Sequence, residues 1–396
     1  MPTSSTWVGH SRFPPWEKKP VDDFLASLHL DSLSIISNNL RGRTDCIVNT
    51  EIFSRGREHV VFELLFGDNT EWVARVPLSH RLMARGIEEM RSEITTIQFL
   101  CDNTCLPIPR IHAYDLDPSN TFGAPYVLMD AVPGVMLGAI LPDIPENTKA
   151  HVYRQLAQVM VELSRLLRWE KIGFLQLQST NNESEYSITT LAFEDYHRIP
   201  AVGSSKEFYR QRAELFLDRK RKEGNPEGVA LAWLYREAIP HFLQAEYEKG
   251  PFPLRHPDFS SPNVLFDESY TITGIIDWTA TQASPWEQFA RLPHEFNRRG
   301  PPNGEISVRE REWFIRLLEE EESKGDVDVP MTKFIRSKAG RIAELVDQYY
   351  GYLDTARLPM EDIRDLISLI YGEHVTWEDI KKKAIEEFPE DVDGTN

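Results

Sequence analysis

One stretch of the chain, LRHPDFSSPNVLFDESYTITGIIDW, holds four polar residues whose types and spacing could do chemistry: His256, Asp258, Asn263 and Asp277. A carboxylate able to take a hydroxyl proton, joined by an Asn and an Asp able to hold magnesium on phosphates, is the equipment that phosphoryl transfer requires. Magnesium needs few protein oxygens, because phosphate and water complete its octahedron. One amide oxygen and one carboxylate are therefore enough. Singly, each residue has an ordinary structural account: Asp or Asn beside Pro starts or caps a turn, and a His in an apolar loop settles into the core. It is the four in register that point to a site.

Positioning them requires a loop and a hairpin. Asn263 lies five positions after Asp258 and is followed by apolar Val264-Leu265-Phe266, so a loop can present both polar groups before the chain enters the core. Asp277, fourteen positions further on, follows Ile275-Ile276. A hairpin turning at Asp267-Glu268-Ser269 brings the second strand back beside the first, and the two magnesium-ligand candidates meet at one end of it.

Around this segment the pattern predicts an α+β, bilobal architecture: a small antiparallel β-sheet lobe with one helix, and a larger, mainly α-helical lobe. At 396 residues the chain exceeds what one core usually serves. Residues 1–45 read as an extension, packed on the body or partly loose. From Cys46 to Pro77, short apolar runs separated by Ser54-Arg55-Gly56 and Gly67-Asp68-Asn69 predict three antiparallel strands. Ser79 is a plausible N-cap for a helix over Arg81–Leu100, where Met90, Ile94, Ile97 and Leu100 recur at three- and four-residue steps. Strands over Ile111–Tyr114 and Tyr126–Met129 complete a first lobe, 46–133, that closes at Pro133-Gly134. Helical periodicity dominates the second lobe, 134–396, apart from 252–278.

Composition narrows the partners. Acidic residues outnumber basic ones by 62 to 44, and the net charge of -18 disfavours nucleic acid and anionic membrane surfaces. No stretch approaches the eighteen apolar residues of a membrane span, and the N-terminus has no signal-like apolar core. Three cysteines without a C-x-x-C pair suit neither a disulfide framework nor zinc. A cytoplasmic location is the expectation.

The segment resembles the catalytic loop and metal-binding motif of the aminoglycoside phosphotransferase and choline kinase-like family, relatives of the protein kinases. The family pattern H-x-D-x-x-x-x-N followed by I-D-W is matched by His256, Asp258, Asn263 and Ile276-Asp277-Trp278. The resemblance covers about residues 50–290. It implies a protein-kinase-like fold with ATP and Mg2+ as cofactors and a small-molecule hydroxyl as acceptor. Asp258 would be the catalytic base, Asn263 and Asp277 the magnesium ligands, and His256 a brace for the loop. It also implies a nucleotide-binding cation on the third strand, Arg75, paired with Glu93 on the following helix. Arg stands where many relatives have Lys, as in choline kinase-like members.

The loop around Gly56 lies where a phosphate-covering hairpin belongs, although a single glycine falls short of G-x-G-x-x-G. The backbone from Asp130 to Val132 would hydrogen-bond adenine at the hinge. A departure follows the motif: Pro285-Trp286-Glu287-Gln288 puts Gln288 where bacterial members carry a bracing Asp, which argues against aminoglycosides as acceptors. The acceptor would be gripped by the helical lobe, for instance by Ser179–Tyr209 with its acidic Glu183, Glu194 and Asp195. The alternative is a non-catalytic nucleotide-binding or scaffold protein of the same fold, which loss of Asp258, Asn263 or Asp277 would have signalled. A two-metal hydrolase is disfavoured because the other histidines are scattered.

Overall fold

Alternating apolar residues build the sheet on which the candidate cation sits. The computed structural model describes residues 7, 13–56, 58–78, 86–180, 183–192, 198–296, 308–325, 327, 329–351 and 360–388. In it, β1 (Ile47–Arg55), β2 (His59–Leu65), β3 (Glu71–Pro77), β4 (Ile111–Asp115) and β5 (Tyr126–Asp130) form an antiparallel sheet in the order β1-β2-β3-β5-β4. Val60, Phe62 and Leu64 of β2 share one face with Ala74 and Val76 of β3 and Leu128 of β5, and all are buried in one core. Arg75 is one step out of phase with Ala74 and Val76, so it faces the other way.

Two helices close that apolar face. α1 (Pro15–Ala26) and α2 (Leu30–Arg41) bring Val21 and Leu33 into the same core. The described part of the N-terminal extension is therefore a structural layer of the sheet. α2 ends at Gly42, whose φ of 60° is the left-handed C-terminal cap that glycine adopts without a Cβ penalty. α3 (Gly86–Asn103) buries Met90, Ile94, Ile97 and Leu100, the stripe its periodicity predicts. The Ser79 cap lies outside the described residues.

The motif segment forms the expected hairpin. Val264–Phe266 pairs antiparallel with Ile272–Ile275, Val264 facing Ile275 and Leu265 facing Gly274. Asp267 makes the turn, its Oδ1 accepting the N–H groups of Ser269 at 2.8 Å and Thr271 at 2.9 Å. The short β6 (Val135–Met136) adds a third strand. Two glycines permit this approach. A Cβ on Gly134, at φ +121°, would lie 2.5 Å from the Phe266 carbonyl oxygen, and one on Gly274 would overlap the Val132 side chain.

The chain divides into two compact units. One comprises Met1–Gln155, Gln176–Tyr186 and Pro257–Thr281; the other comprises Leu156–Leu175, Ser187–His256 and Gln282–Asn396. This differs from a linear division at residue 134, because the hairpin pairs with β6 and Ile275 N–H donates to Pro107 O at 2.9 Å. Asp258, Asn263 and Asp277 thus share a unit with Arg75 and Glu93.

The second unit is mainly helical, with Ser205–Lys222, Pro226–Phe242, Val308–Lys324, Lys338–Gly351, Met360–Tyr371 and Trp377–Glu387 as its longer helices. Between the expected helices lie the strands Gly173–Thr180 and Glu183–Thr189, whose residues are shared between the two units. Their Asn-, Ser- and Glu-rich text reads as a loop, yet Tyr186 and Ile188 alternate with polar neighbours as a strand requires. No helix among the described residues is long and apolar enough to cross a membrane.

If α2 is part of the core, Leu33→Ala, at a fully buried position, will cost about 2–5 kcal/mol. A fall in the urea midpoint at unchanged m-value is the measurement; an unchanged midpoint would mean that the extension is dispensable.

Candidate active site

Arg75 is the hub. It sits in β3 opposite Val61 and Val127, with 15% of its side chain accessible. Its Nη1 donates to Glu93 Oε1 of α3. Its Nη2 lies 2.9 Å from Asp277 Oδ1, 3.1 Å from Thr279 Oγ and 3.3 Å from His59 Nδ1. An arginine can only donate, so in its contact with His59 the ring nitrogen is on the accepting side. Thr279 Oγ is also 2.8 Å from Asp277 Oδ1 and 3.1 Å from Glu93 Oε2.

Burial opposes the Arg75 charge, but Glu93 and Asp277 outweigh it and raise its pKa above the ordinary arginine value. For Glu93, burial pushes the carboxyl upward and Asp277 adds to it, against the pull of Arg75. A buried ion pair of this kind repays its desolvation only when further hydrogen bonds complete it. Thr279 and His59 supply those bonds here.

Asp258 is held from two sides. Ser260 Oγ donates to its Oδ1 at 2.6 Å, and Asn263 Nδ2 donates to its Oδ2 at 3.0 Å and its carbonyl at 2.9 Å. Asp258 is exposed while Ser260 and Asn263 are buried, so an accessible carboxylate rests on a fixed base. With the Asn263 amide nitrogen committed to Asp258, its amide oxygen is the atom available as a ligand. Ile276 N–H donates to Asn263 O at 2.9 Å, which fixes the residue before Asp277 against the loop.

Asp277 itself has φ +61°, in the left-handed region. Trp278 beside it is buried and donates its indole N–H to Ile275 O at 3.0 Å. The ring anchors a turn that holds the carboxylate outward, a conformation that costs about 1–3 kcal/mol and has to be held by its surroundings.

The other expected site residues lie outside these two networks. Gly56 N–H closes the β1–β2 turn on His59 O at 2.9 Å, and a Cβ there would meet nothing closer than 3.9 Å, so sterics do not demand a glycine. The Asp130 carboxylate bonds His112 Nε2 at 2.7 Å and Arg110 N–H at 3.0 Å, and His112 stacks on Trp72. The Asp130 and Ala131 N–H groups donate to Arg110 O and Glu71 O. His256 is buried. Glu194 and Asp195 lie outside the described residues. Ser260, Thr279 and His59 escaped the sequence reading, although the first two stand two positions after Asp258 and Asp277, the spacing at which a hydroxyl folds back onto an Asp carboxylate.

Gln288 lies in a charge cluster of the second unit. Gln288 Nε2 donates to Asp347 Oδ1 at 3.2 Å; Arg291 bonds the same carboxylate, and Arg255 and Arg212 stand 3.8 and 4.0 Å from it. Burial would raise the Asp347 pKa, but Arg291, Arg255 and Arg212 hold it below the usual carboxylate range. Burial pulls Arg255 down to about 10, against the attraction of Asp347.

The chain belongs to the phosphotransferase enzyme family, whose model matches residues 49–311. Two solved structures share its protein-kinase-like α+β fold. One is provisionally assigned as an aminoglycoside phosphotransferase from Ralstonia eutropha (TM-score 0.50, 16% identity, 90% of this chain and 99% of that one). The other is provisionally assigned as a fructosamine-3-kinase from Thermobifida fusca (TM-score 0.51, 13% identity, 90% and 99%).

Among curated proteins, altered inheritance of mitochondria protein 9 of Candida tropicalis is 29% identical over 131 residues, 31% of this chain and 21% of that protein. The Candida dubliniensis protein of the same name is 29% identical over 129 residues, 30% and 21%. The match thus spans about a fifth of these relatives' length. Their names are mitochondrial, which overturns the cytoplasmic location expected from the sequence.

Asp347→Asn would leave three arginines around a neutral group, so a loss of about 3–5 kcal/mol is expected near neutral pH. Because the folded pKa is depressed, the carboxylate stabilises fully above its unfolded pKa and loses that contribution as pH falls through the folded value. Urea midpoints should therefore differ by a constant amount from pH 5 to 7 and converge below about pH 4. A gap that persisted into acid would refute the electrostatic account.

Proposed function

We propose that this chain moves the γ-phosphate of ATP, with magnesium, onto the hydroxyl of a small molecule. The observation that carries the reading is that Arg75 bonds both Glu93 and Asp277: a strand cation paired with a helix acid orients a triphosphate in kinase-like sites, and Asp277 is the metal-ligand candidate beside them. Arg75 has a fork of five donors, so it can add phosphate oxygens while it stays paired. Asn263 and Asp277 offer an amide oxygen and a carboxylate, a donor set that suits a hard divalent cation. Bound there, magnesium would neutralise charge on the β and γ phosphates.

The remaining chemistry belongs to Asp258. Ser260 and Asn263 hold its carboxylate in one orientation, and its exposure lets an acceptor hydroxyl approach. As the acceptor oxygen bonds to phosphorus, its proton passes to an Asp258 oxygen, and the bond from γ-phosphorus to the leaving ADP oxygen breaks.

Calorimetric titration with ATP and magnesium tests the reading. Wild type and Asp258→Asn should bind the nucleotide, the latter with acceptor phosphorylation lowered by at least about a hundredfold. Asp277→Ala should lose the magnesium-dependent part of binding. Absence of binding at millimolar ATP would overturn the reading in favour of a scaffold role.

A further inference from the structure

Thr279 directly follows the Ile276-Asp277-Trp278 element and is not one of the motif's residues. We infer that it is a positioning residue, whose hydroxyl ties Asp277 to Glu93 and Arg75 and so fixes the oxygen that faces the magnesium–nucleotide. The inference rests on the phosphotransferase reading above.

A hydroxyl has one proton and two lone pairs. Three polar groups surround the Thr279 hydroxyl: Arg75 Nη2 at 3.1 Å, Asp277 Oδ1 at 2.8 Å and Glu93 Oε2 at 3.1 Å. Arg75 can only donate, so Thr279 accepts from it and has a single proton for the two carboxylates. Arg75 in turn bonds Glu93 through Nη1 and Asp277 through Nη2. The four side chains close a ring in which Thr279 is the neutral member. It is also the link that lets Asp277 and Glu93, two anions 184 positions apart in sequence (277 minus 93), approach one cation without facing each other directly.

The backbone shows why such a tie is needed. Asp277 and Ala280 both have positive φ, +61° and +57°, on either side of Trp278-Thr279. A turn with two non-glycine residues in the left-handed region does not hold itself. Trp278 anchors it on the buried side through its bond to Ile275 O. The hydroxyl of Thr279 anchors it on the other. The Asp277 side chain is 45% exposed, so packing alone leaves its rotamer unfixed.

The test compares Thr279→Val, which keeps the shape and removes the hydroxyl, with Thr279→Ser, which restores it. Wild type and Asp277→Ala are the references. Each protein is titrated with ATP at a series of magnesium concentrations and without magnesium, with Tm measured alongside. The expected result for Thr279→Val is a roughly tenfold weaker magnesium-dependent affinity, the size of one lost hydrogen bond to a charged group. Its affinity for ATP without magnesium should change by less than about twofold, and Thr279→Ser should return the magnesium-dependent affinity to near the wild-type value.

A merely structural role would lower both affinities together with Tm, and that result overturns the inference. Wild-type affinity in Thr279→Val while Asp277→Ala loses magnesium dependence also overturns it, and leaves the phosphotransferase reading standing. Failure of wild type to bind ATP with magnesium overturns both. Should the valine chain not fold, Thr279→Cys, whose thiol is a weak donor, takes its place with the same outcomes.

Discussion

The guanidinium of Arg75 has little water to solvate it, and the first unit is arranged around that fact. Removing a charge from water costs several kcal/mol, which only close counter-charges and complete hydrogen bonding recover. Glu93 must therefore come from a helix packed on that face of the sheet, and Asp277 from a hairpin that ends within hydrogen-bond distance. In β3 the alternation leaves Arg75 on the face opposite Ala74 and Val76, whereas in α3 Glu93 stands three residues after Met90 and four before Ile97, on the buried side of the helix.

The hairpin illustrates how local chemistry and long-range fit cooperate. Asp267 turns the chain with its own side chain, a purely local event. Where the hairpin then sits depends on Gly134 and Gly274, which admit the Phe266 carbonyl and the Val132 side chain at distances that a Cβ would block. The hinge candidate and the metal-ligand candidates are thereby linked: Val132 packs at Gly274, three residues before Asp277.

A second charge centre, around Asp347, follows the same rule in the other unit. One carboxylate serves Arg291 directly and Arg255 and Arg212 at longer range, and Gln288 donates to it. Asp347 is carried by the helix Lys338–Gly351, which lies beyond the residues 49–311 that the family model matches. Acidic residues outnumber basic ones by 62 to 44, but this interior cluster is rich in cations, which a net charge cannot reveal.

Much of this was legible before any coordinates. The four-residue motif, the hairpin it needs, the strands around Arg75 and the stripe of α3 all follow from spacing, because turns, alternation and helical periodicity are local and leave their trace within a few residues. Covalent neighbours determined that Asp258 and Asn263 would act together. What only the tertiary structure decided are the partners that sequence distance hides: α1 and α2 as a layer of the core, Thr279 and His59 beside the Arg75 pair, Asp347 as the partner of Gln288 and Arg291, and the Asp130 side chain drawn to His112. The physical reason is that a buried charge is satisfied by whichever group arrives within about 3 Å. Arrival is set by the packing of whole elements, about which a list of residues is silent.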